Sequence, residues 1–470
     1  MKQVDVRKAY VDSVTLMQVS RRVADLDGVE AALVAMATDL NLELAQGMGF
    51  EIPDGISGND MLVALDVSSD EVLAAARAEL DAALAAASKP AAGGFGEAPP
   101  PLTMRAATRE VDPESAVALV STPGQYAFAD ALDAVEAGLL TMVFSDNVSL
   151  EQEVALKQRA AETGALVMGP DCGTAVVGGV GLGFANVARP GAVGIVAASG
   201  TGAQHLLALL DGADVGVSHC LGVGGRDLSS DVGGMSTLRA LELLDADDAT
   251  ELIVVISKPP APEVADKVRA HAESLKTKVV FGLLGPGQPD LTATAASVVE
   301  AAGGTWTAPE HWGAVTTRRG DGALVGLFVG GTMRDEARLV AAESLGVEPS
   351  SLEMVDFGDD EYTRGRPHPM IDGSLRLERI EKEIDSDACG VLLLDVVLGL
   401  GADPDPVASL VEPIRRASSA GLPVVASVIG TRDDPQGLRR TAAALTDAGA
   451  AVFLSNAAAA RAAADLVGAS

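Results

Sequence analysis

Two short segments combine glycine, a hydroxyl and the start of a helix, a pattern that gathers free backbone N–H groups and the positive end of a helix dipole around an anion. Ala198-Ser199-Gly200-Thr201-Gly202 follows the apolar run AVGIVA and opens AQHLLALL. Val329-Gly330-Gly331-Thr332 follows LVGLF and opens RDEARLVAAESL, with Arg334 in its first turn. Each alone has a plainer reading as an ordinary N-cap. Together they suggest two helix N-termini around one phosphate, held by Ser199, Gly200, Thr201 and Gly202 on one side and by Gly330, Gly331, Thr332 and Arg334 on the other.

Four further turns carry charge. Leu221–Asp227 holds Gly224 and Gly225, where backbone can approach a ligand closely, and Arg226, read either as an anion clamp or as a surface arginine on a tight loop. Met168–Thr174 ends a strand with Asp171 and Cys172; no histidine adjoins the thiol in sequence, so Cys172 is read as structural. Gly365–Asp372 pins His368 between two prolines with Arg366 and Asp372 on either side, a setting for an acid, a base or a hydrogen-bond donor. Asp395 precedes the glycine-rich Leu398–Ala402 turn, where it either holds a substrate nitrogen or caps a loop.

The elements that must position these residues follow from the apolar pattern. From Ala116 onward, short runs such as AVALVS, LLTMVFS, AVGIVAAS, ELIVVIS, ALVGLFVGG and GVLLLDVV each lead into a Gly-, Ser- or Asp-rich turn and then a helix. Near-continuous apolar strands alternating with helices predict parallel sheets covered on both faces, with ligands at the carboxyl ends of the strands. Residues 1–88 read as a smaller α/β unit. The Pro/Gly/Ala-rich stretch at 89–104 reads as a linker, and α/β units follow at 105–190, 191–317 and 318–470.

The 470 residues exceed a single core at ~150 residues per domain. With 48% apolar but 3% aromatic residues, the cores rest on Ala, Val, Leu and Ile. A net charge of −32 disfavours nucleic acid and anionic membrane as partners. Three scattered cysteines without a CxxC argue against a disulfide framework or a zinc site, and no metal site is expected. The charged N-terminus and the lack of a long apolar run predict a cytoplasmic protein. P-loop, HExxH, GxSxG and dinucleotide fingerprints are absent from the sequence.

Along nearly the whole chain these turns resemble, in order, the FdrA family. The matching stretches include Phe144–Val148, Gly169–Thr174, Phe184–Val187, Ala198–Gly202, Gly222–Asp227, Asp231–Gly234, Ser257–Pro260, Gly330–Thr332, Gly365–Asp372 and Leu394–Gly401. More distantly the chain is similar to succinyl-CoA synthetase. The likeness implies a Rossmann-like CoA-binding-type domain at 105–190, then two flavodoxin-like ligase domains. The one at 191–317 is of the α-subunit type, and the one at 318–470 is like the C-terminal domain of the β subunit. It also implies that Ser199–Gly202 and Gly330–Thr332 lie on the two facing helices that grip the phosphoryl group in the synthetase. The synthetase's phosphohistidine loop is replaced here by Gly285-Pro286-Gly287-Gln288-Pro289, its steadying glutamate loop by Ser257-Lys258-Pro259-Pro260, and its ATP-grasp domain has no counterpart.

The family resemblance implies a subunit of an oxamate carbamoyltransferase complex in ureide (allantoin and purine) nitrogen catabolism, phosphorolysing oxalurate to oxamate and carbamoyl phosphate with partner subunits or further copies of itself. Arg226, Arg366, His368 and Asp395 would then be catalytic, with Gly224, Gly225, Lys258 and Asp171 on the substrate, and carbamoyl phosphate or phosphate as a substrate rather than a resident cofactor. One alternative is an acyl-CoA synthetase that binds CoA at Ser121, Gly124, Ser145 and Asn147 and receives nucleotide through a partner. Another is a non-catalytic scaffold or sensing subunit.

Overall fold

The computed structural model describes residues 1–9, 11, 13–24, 26–53, 55–87, 101–314, 319–363 and 366–468. The linker expected at 89–104 lies, as far as residue 100, outside them. The chain forms two compact units: Met1–Pro101 with Asp360–His368, and Leu102–Asp359 with Pro369–Ser470.

The first unit runs β1 (Lys2–Arg7), α1 (Ser13–Ala24), β2 (Val29–Met36), α2 (Asp39–Gly47), β3 (Met61–Val67) and α3 (Asp70–Ala87). Its antiparallel sheet has the order β1-β3-β2. Helix α2 was not foreseen from the sequence; Thr38 caps it by accepting the Asn41 N–H.

The second unit opens with α4 (Met104–Ala107), β4 (Val117–Val120), α5 (Gly124–Glu136), β5 (Leu140–Val143), α6 (Leu150–Thr163) and β6 (Val167–Met168), a small parallel sheet in the order β4-β5-β6. Then come β7 (Thr174–Val177), β8 (Val180–Gly183), β9 (Pro190–Ala198), α7 (Gly200–Gly212), β10 (Val217–Gly222), α8 (Met235–Ala246), β11 (Leu252–Ser257), α9 (Pro262–Ala272), β12 (Lys278–Leu283) and α10 (Leu291–Ala301). Residues 174–183, grouped with the preceding domain in the sequence, instead form a hairpin that pairs antiparallel with β10.

The last stretch holds β13 (His311–Trp312), β14 (Ala323–Phe328), α11 (Gly331–Leu345), β15 (Glu353–Asp356), α12 (Asp360–Thr363, part of the first unit), α13 (Ser374–Asp385), β16 (Cys389–Val397), α14 (Pro406–Ser419), β17 (Val424–Ile429), α15 (Leu438–Asp447), β18 (Ala451–Phe453) and α16 (Asn456–Gly468).

The two large sheets are ordered β12-β11-β9-β10-β7-β8 and β13-β18-β17-β16-β14-β15. Taking their parallel strands alone, the first follows the order 2-1-3-4 and the second the flavodoxin order 2-1-3-4-5, in which the strand order reverses between the first and third strands. Those strands are β9 and β11 in one sheet and β14 and β16 in the other. Buried runs such as LIVVIS, VVASVI and CGVLLLDVV explain why they pack between helices.

A buried ion cluster ties the small sheet's α6 to the loop after β10. The Lys157 ammonium, 1% exposed, donates to Glu153 Oε1 and Asp227 Oδ1 at 2.8 Å each and to the Val223 carbonyl at 2.9 Å. Asp227 also accepts the Ser236 and Thr237 N–H groups. Every charge is paired and hydrogen-bonded, the condition under which buried charge is tolerated. Lys157→Met leaves the buried Asp227 without a cation and Glu153 with Arg226 alone, and is expected to cost about 3–5 kcal/mol in denaturant unfolding. A loss below about 1 kcal/mol would mean that the cluster behaves as a solvated surface pair.

Candidate functional site

The two glycine–hydroxyl turns meet. Ser199 caps α7, its Oγ accepting the Gly202 N–H at 2.8 Å, and the same Oγ lies 2.5 Å from Thr332 Oγ1 in the first turn of α11. Glycine is required on both sides by this approach. A Cβ on Gly202 would sit 2.4 Å from Ser199 Oγ and 3.1 Å from Thr332 Cγ2, and one on Gly330 would sit 2.6 Å from Thr201 Oγ1. Both turns stand at the strand-order reversals of their sheets, so two positive helix ends converge on one place.

Buried side chains hold the α11 turn from behind. Asp395 accepts the Val329 N–H at 2.8 Å and the Gly330 N–H at 3.1 Å, and Arg376 Nη1 donates to its backbone carbonyl and to Oδ1. Burial raises the Asp395 carboxyl to about 6 against the opposing pull of Arg376. Of the two roles the sequence left open for Asp395, this geometry matches the capping one.

In front of the turn, a Cβ on Gly331 would lie 2.4 Å from Asp356 Oδ2 and 2.8 Å from Lys258 Nζ. Lys258 from the first large sheet and Asp356 from the second therefore share the space over the first residue of α11. Burial raises the Asp356 carboxyl, while Lys258 and Arg334 both pull it down. Arg334 Nε is 2.8 Å from Asp335 Oδ1 but donates no hydrogen bond there.

The remaining expected residues go elsewhere. Arg226 donates to Glu153 Oε2 and to the Val148 carbonyl, both at 2.8 Å, so its guanidinium faces the ion cluster on α6 rather than the paired turns. Gly224, with φ 87°, packs under Pro170, Gly225 is exposed, and Asp171 is exposed with φ 57°. Cys172 is buried, which pushes its thiol up to about 12. Arg366 and His368 belong to the compact unit that contains residues 1–101, and burial pushes the His368 imidazole down to about 4. Gly365 lies outside the described residues.

Ser121, Gly124, Ser145 and Asn147 gather at the carboxyl ends of β4 and β5. Ser145 Oγ donates to the Thr122 carbonyl at 2.5 Å, and a Cβ on Gly124 would strike the Asp146 and Asn147 carbonyls. Asn147 holds φ 53°.

Sequence reading missed Asp356, Arg376 and a buried network behind α11. Glu336, fully buried, accepts the Leu291 N–H at 2.6 Å and the Asn456 Nδ2–H at 2.8 Å; Asn456 N–H points at His205 Nε2 at 3.4 Å. Helices α7, α10, α11 and α16 are joined there. Asp356 had one legible signal: it is the last residue of a short strand, just before a glycine-containing turn.

No helix among the described residues is long and apolar enough to cross a membrane.

Two outcomes are expected. Gly330→Ala forces the turns apart, lowering stability by about 1–3 kcal/mol and abolishing any stabilisation by inorganic phosphate in thermal unfolding. The second concerns pH. Burial raises the Glu336 carboxyl from 4.5 to about 7, so the folded chain holds a proton that the unfolded chain releases. Stability from this group is complete below pH ~4.5 and falls as pH rises to ~7, by on the order of 3 kcal/mol. Glu336→Gln should flatten the unfolding free energy across that window relative to the parent chain; an unchanged slope would show that Glu336 ionises normally.

Comparison with known proteins agrees with this architecture. Residues 327–466 match the CoA-ligase family, and residues 1–100 match the family described as AllF, heavy metal-associated domain. Residues 1–100 contain neither cysteine nor histidine, and no group of three or more His, Cys, Asp or Glu side chains placed to hold a metal occurs among the described residues. The chain is 25% identical over 206 residues to the alpha subunit of an ADP-forming succinate–CoA ligase of Methanothermobacter thermautotrophicus (43% of this chain, 67% of that one). It is 27% identical over 160 residues to the alpha 2 subunit of such a ligase from Archaeoglobus fulgidus (33% of this chain, 54% of that one). With the protein YahF of Escherichia coli (strain K12) it shares 36% identity over 485 aligned positions, 94% of this chain and 93% of YahF. The chain belongs with YahF to the FdrA-like family of acyl-CoA synthetase-like proteins.

Proposed function

We propose that this chain is the phosphate- and CoA-handling subunit of an acid–thiol ligase, with nucleotide entering through a partner. The observation that carries the reading is the meeting of two helix N-termini at Ser199 and Thr332. Backbone N–H groups of Gly200, Thr201, Gly331 and Thr332 would bind the phosphoryl oxygens of an acyl phosphate, and the two dipoles stabilise the charge spread over those oxygens in the transition state. Lys258 and Arg334 add cations beside the same turn. The cluster at Ser121, Gly124, Ser145 and Asn147 is the candidate CoA site. The relatives that are CoA ligase subunits support this assignment.

A second reading is carbamoyl transfer between oxamate and carbamoyl phosphate in ureide catabolism. One observation favours it: the loop after β12, Gly285–Pro289, carries no histidine. Of the five histidines, His205 is buried against Asn456, His219 and His271 pair with Asp247 and Glu242, His311 stacks on Phe453, and His368 lies in the other unit. Carbamoyl phosphate is itself an acyl phosphate, so the same turns would hold it, and oxamate would be the acceptor.

Thermal unfolding of the purified chain separates the two. Phosphate should raise the midpoint in either case, by the equivalent of ~2.7 kcal/mol at a hundredfold excess over Kd. A further rise with CoA, lost in Gly124→Val, supports the ligase. A rise with carbamoyl phosphate but none with millimolar CoA supports carbamoyl transfer. No response to phosphate, carbamoyl phosphate or CoA would leave the scaffold role.

A further inference from the structure

A site that hands on a phosphoryl group in two separate steps uses a side chain to carry it between them, and no histidine stands at these turns. The carboxylates near α11 differ in what they have left to offer. Asp395 spends both oxygens on Val329 and Gly330 N–H groups. Glu336 spends both on Leu291 and Asn456 and has no exposed surface. Asp335 pairs with Arg334 and Arg338. Asp356 is different. Its Oδ1 accepts the Gly358 N–H at 2.9 Å, but its Oδ2 accepts no hydrogen bond among the described residues. Although the residue is only 7% exposed, that oxygen points at the α11 turn, 2.4 Å from the Cβ position of Gly331. The Lys258 ammonium also approaches this turn, 2.8 Å from the same Cβ position of Gly331. A carboxylate oxygen with a spare lone pair, on a residue only 7% exposed and aimed at a helix N-terminus near a lysine, has the parts of a phosphoryl acceptor.

We propose that Asp356 is the phosphoryl carrier of this site and forms an aspartyl phosphate with an acyl phosphate. The inference rests on the phosphate-binding reading above. In the step, Asp356 Oδ2 attacks phosphorus. The bond from phosphorus to the bridging acyl oxygen breaks, and its electron pair leaves with the acyl carboxylate. No proton moves and no oxidant or reductant enters. One mixed carboxylic–phosphoric anhydride replaces another, so the exchange is close to isoenergetic and runs in either direction. Lys258 and Arg334 offset charge on the non-bridging oxygens, and the Gly331 and Thr332 N–H groups orient them for in-line displacement.

The test uses the full chain and acetyl phosphate labelled with 32P, as the simplest acyl phosphate. The expected result is protein-bound label that survives cold acid and is released by alkali and by neutral hydroxylamine. Asp356→Asn should lower it at least tenfold, with a far-UV circular dichroism spectrum and an unliganded unfolding midpoint like the parent's serving as the folding control. Should that variant not fold, borohydride reduction of the labelled parent chain converts the phosphorylated aspartate to homoserine, and peptide mass must put it at 356. Label that is acid-labile and alkali-stable, or homoserine elsewhere, overturns the proposal. No label from a chain that phosphate does stabilise also overturns it and leaves the phosphate site standing; no label and no stabilisation sinks both.

Discussion

Two helix N-termini pressed against each other repel. Each carries roughly half a positive charge, and here they approach until Ser199 Oγ and Thr332 Oγ1 are in hydrogen-bond contact. Much of the surrounding architecture can be understood as the means of keeping them there. Asp395 puts a negative charge behind one turn, and Arg376 steadies that charge in turn. The Ser199–Thr332 hydrogen bond bridges the two caps. On the outward face the Asp356 carboxylate and the Lys258 ammonium both approach the α11 turn and offset one another in charge. A phosphate there relieves the repulsion as well as making its own hydrogen bonds, so the geometry of the paired turns is biased electrostatically in favour of an anion.

The seam between the two large sheets supplies the mechanical part. Asn186 Nδ2 reaches the Leu398 carbonyl and Asp434, the Val187 N–H reaches Asp434, and Gln204 on α7 bonds to the Phe184 and Leu398 carbonyls. Gln436 closes the Gly399 loop from the other side. Most of the seam bonds are buried and directional, and those reaching Leu398 and Asp434 join residues some two hundred positions apart. Breaking one leaves a desolvated polar group, at a cost of about 1–3 kcal/mol. Apolar packing alone would let the sheets slide; this set fixes their register, and with it the register of the two turns.

Much of this was legible beforehand, for identifiable reasons. Strands buried on both faces write themselves as unbroken apolar runs, so β9, β11, β14, β16 and β17 could be read directly. The paired turns could be read because glycine next to Ser or Thr at a helix start is chemically specific. Arg226 could be seen as functional or structural, but not which, because its partner Glu153 lies 73 positions away on α6. Lys157 was invisible for a related reason: a lysine inside a helix normally points to solvent, and only the fold supplies the two carboxylates that bury it. Asp356 was hidden by abundance. In a chain with 66 acidic residues, an aspartate before Phe-Gly-Asp-Asp does not stand out. The hairpin at 174–183 was assigned by sequence proximity, whereas hydrogen bonding to β10 decided its sheet.

Both halves of the paired-turn site sit on one polypeptide, Ser199 and Thr332 being separated by 133 positions. A site divided between two separate chains would dissolve on dilution, and its occupancy would follow how much of each was made. Here the second half meets the first at an effective concentration set by the intervening chain, on the order of millimolar before any seam bond forms. Assembly of this site is therefore a folding event, first order in protein, and its stoichiometry is one to one by covalent linkage.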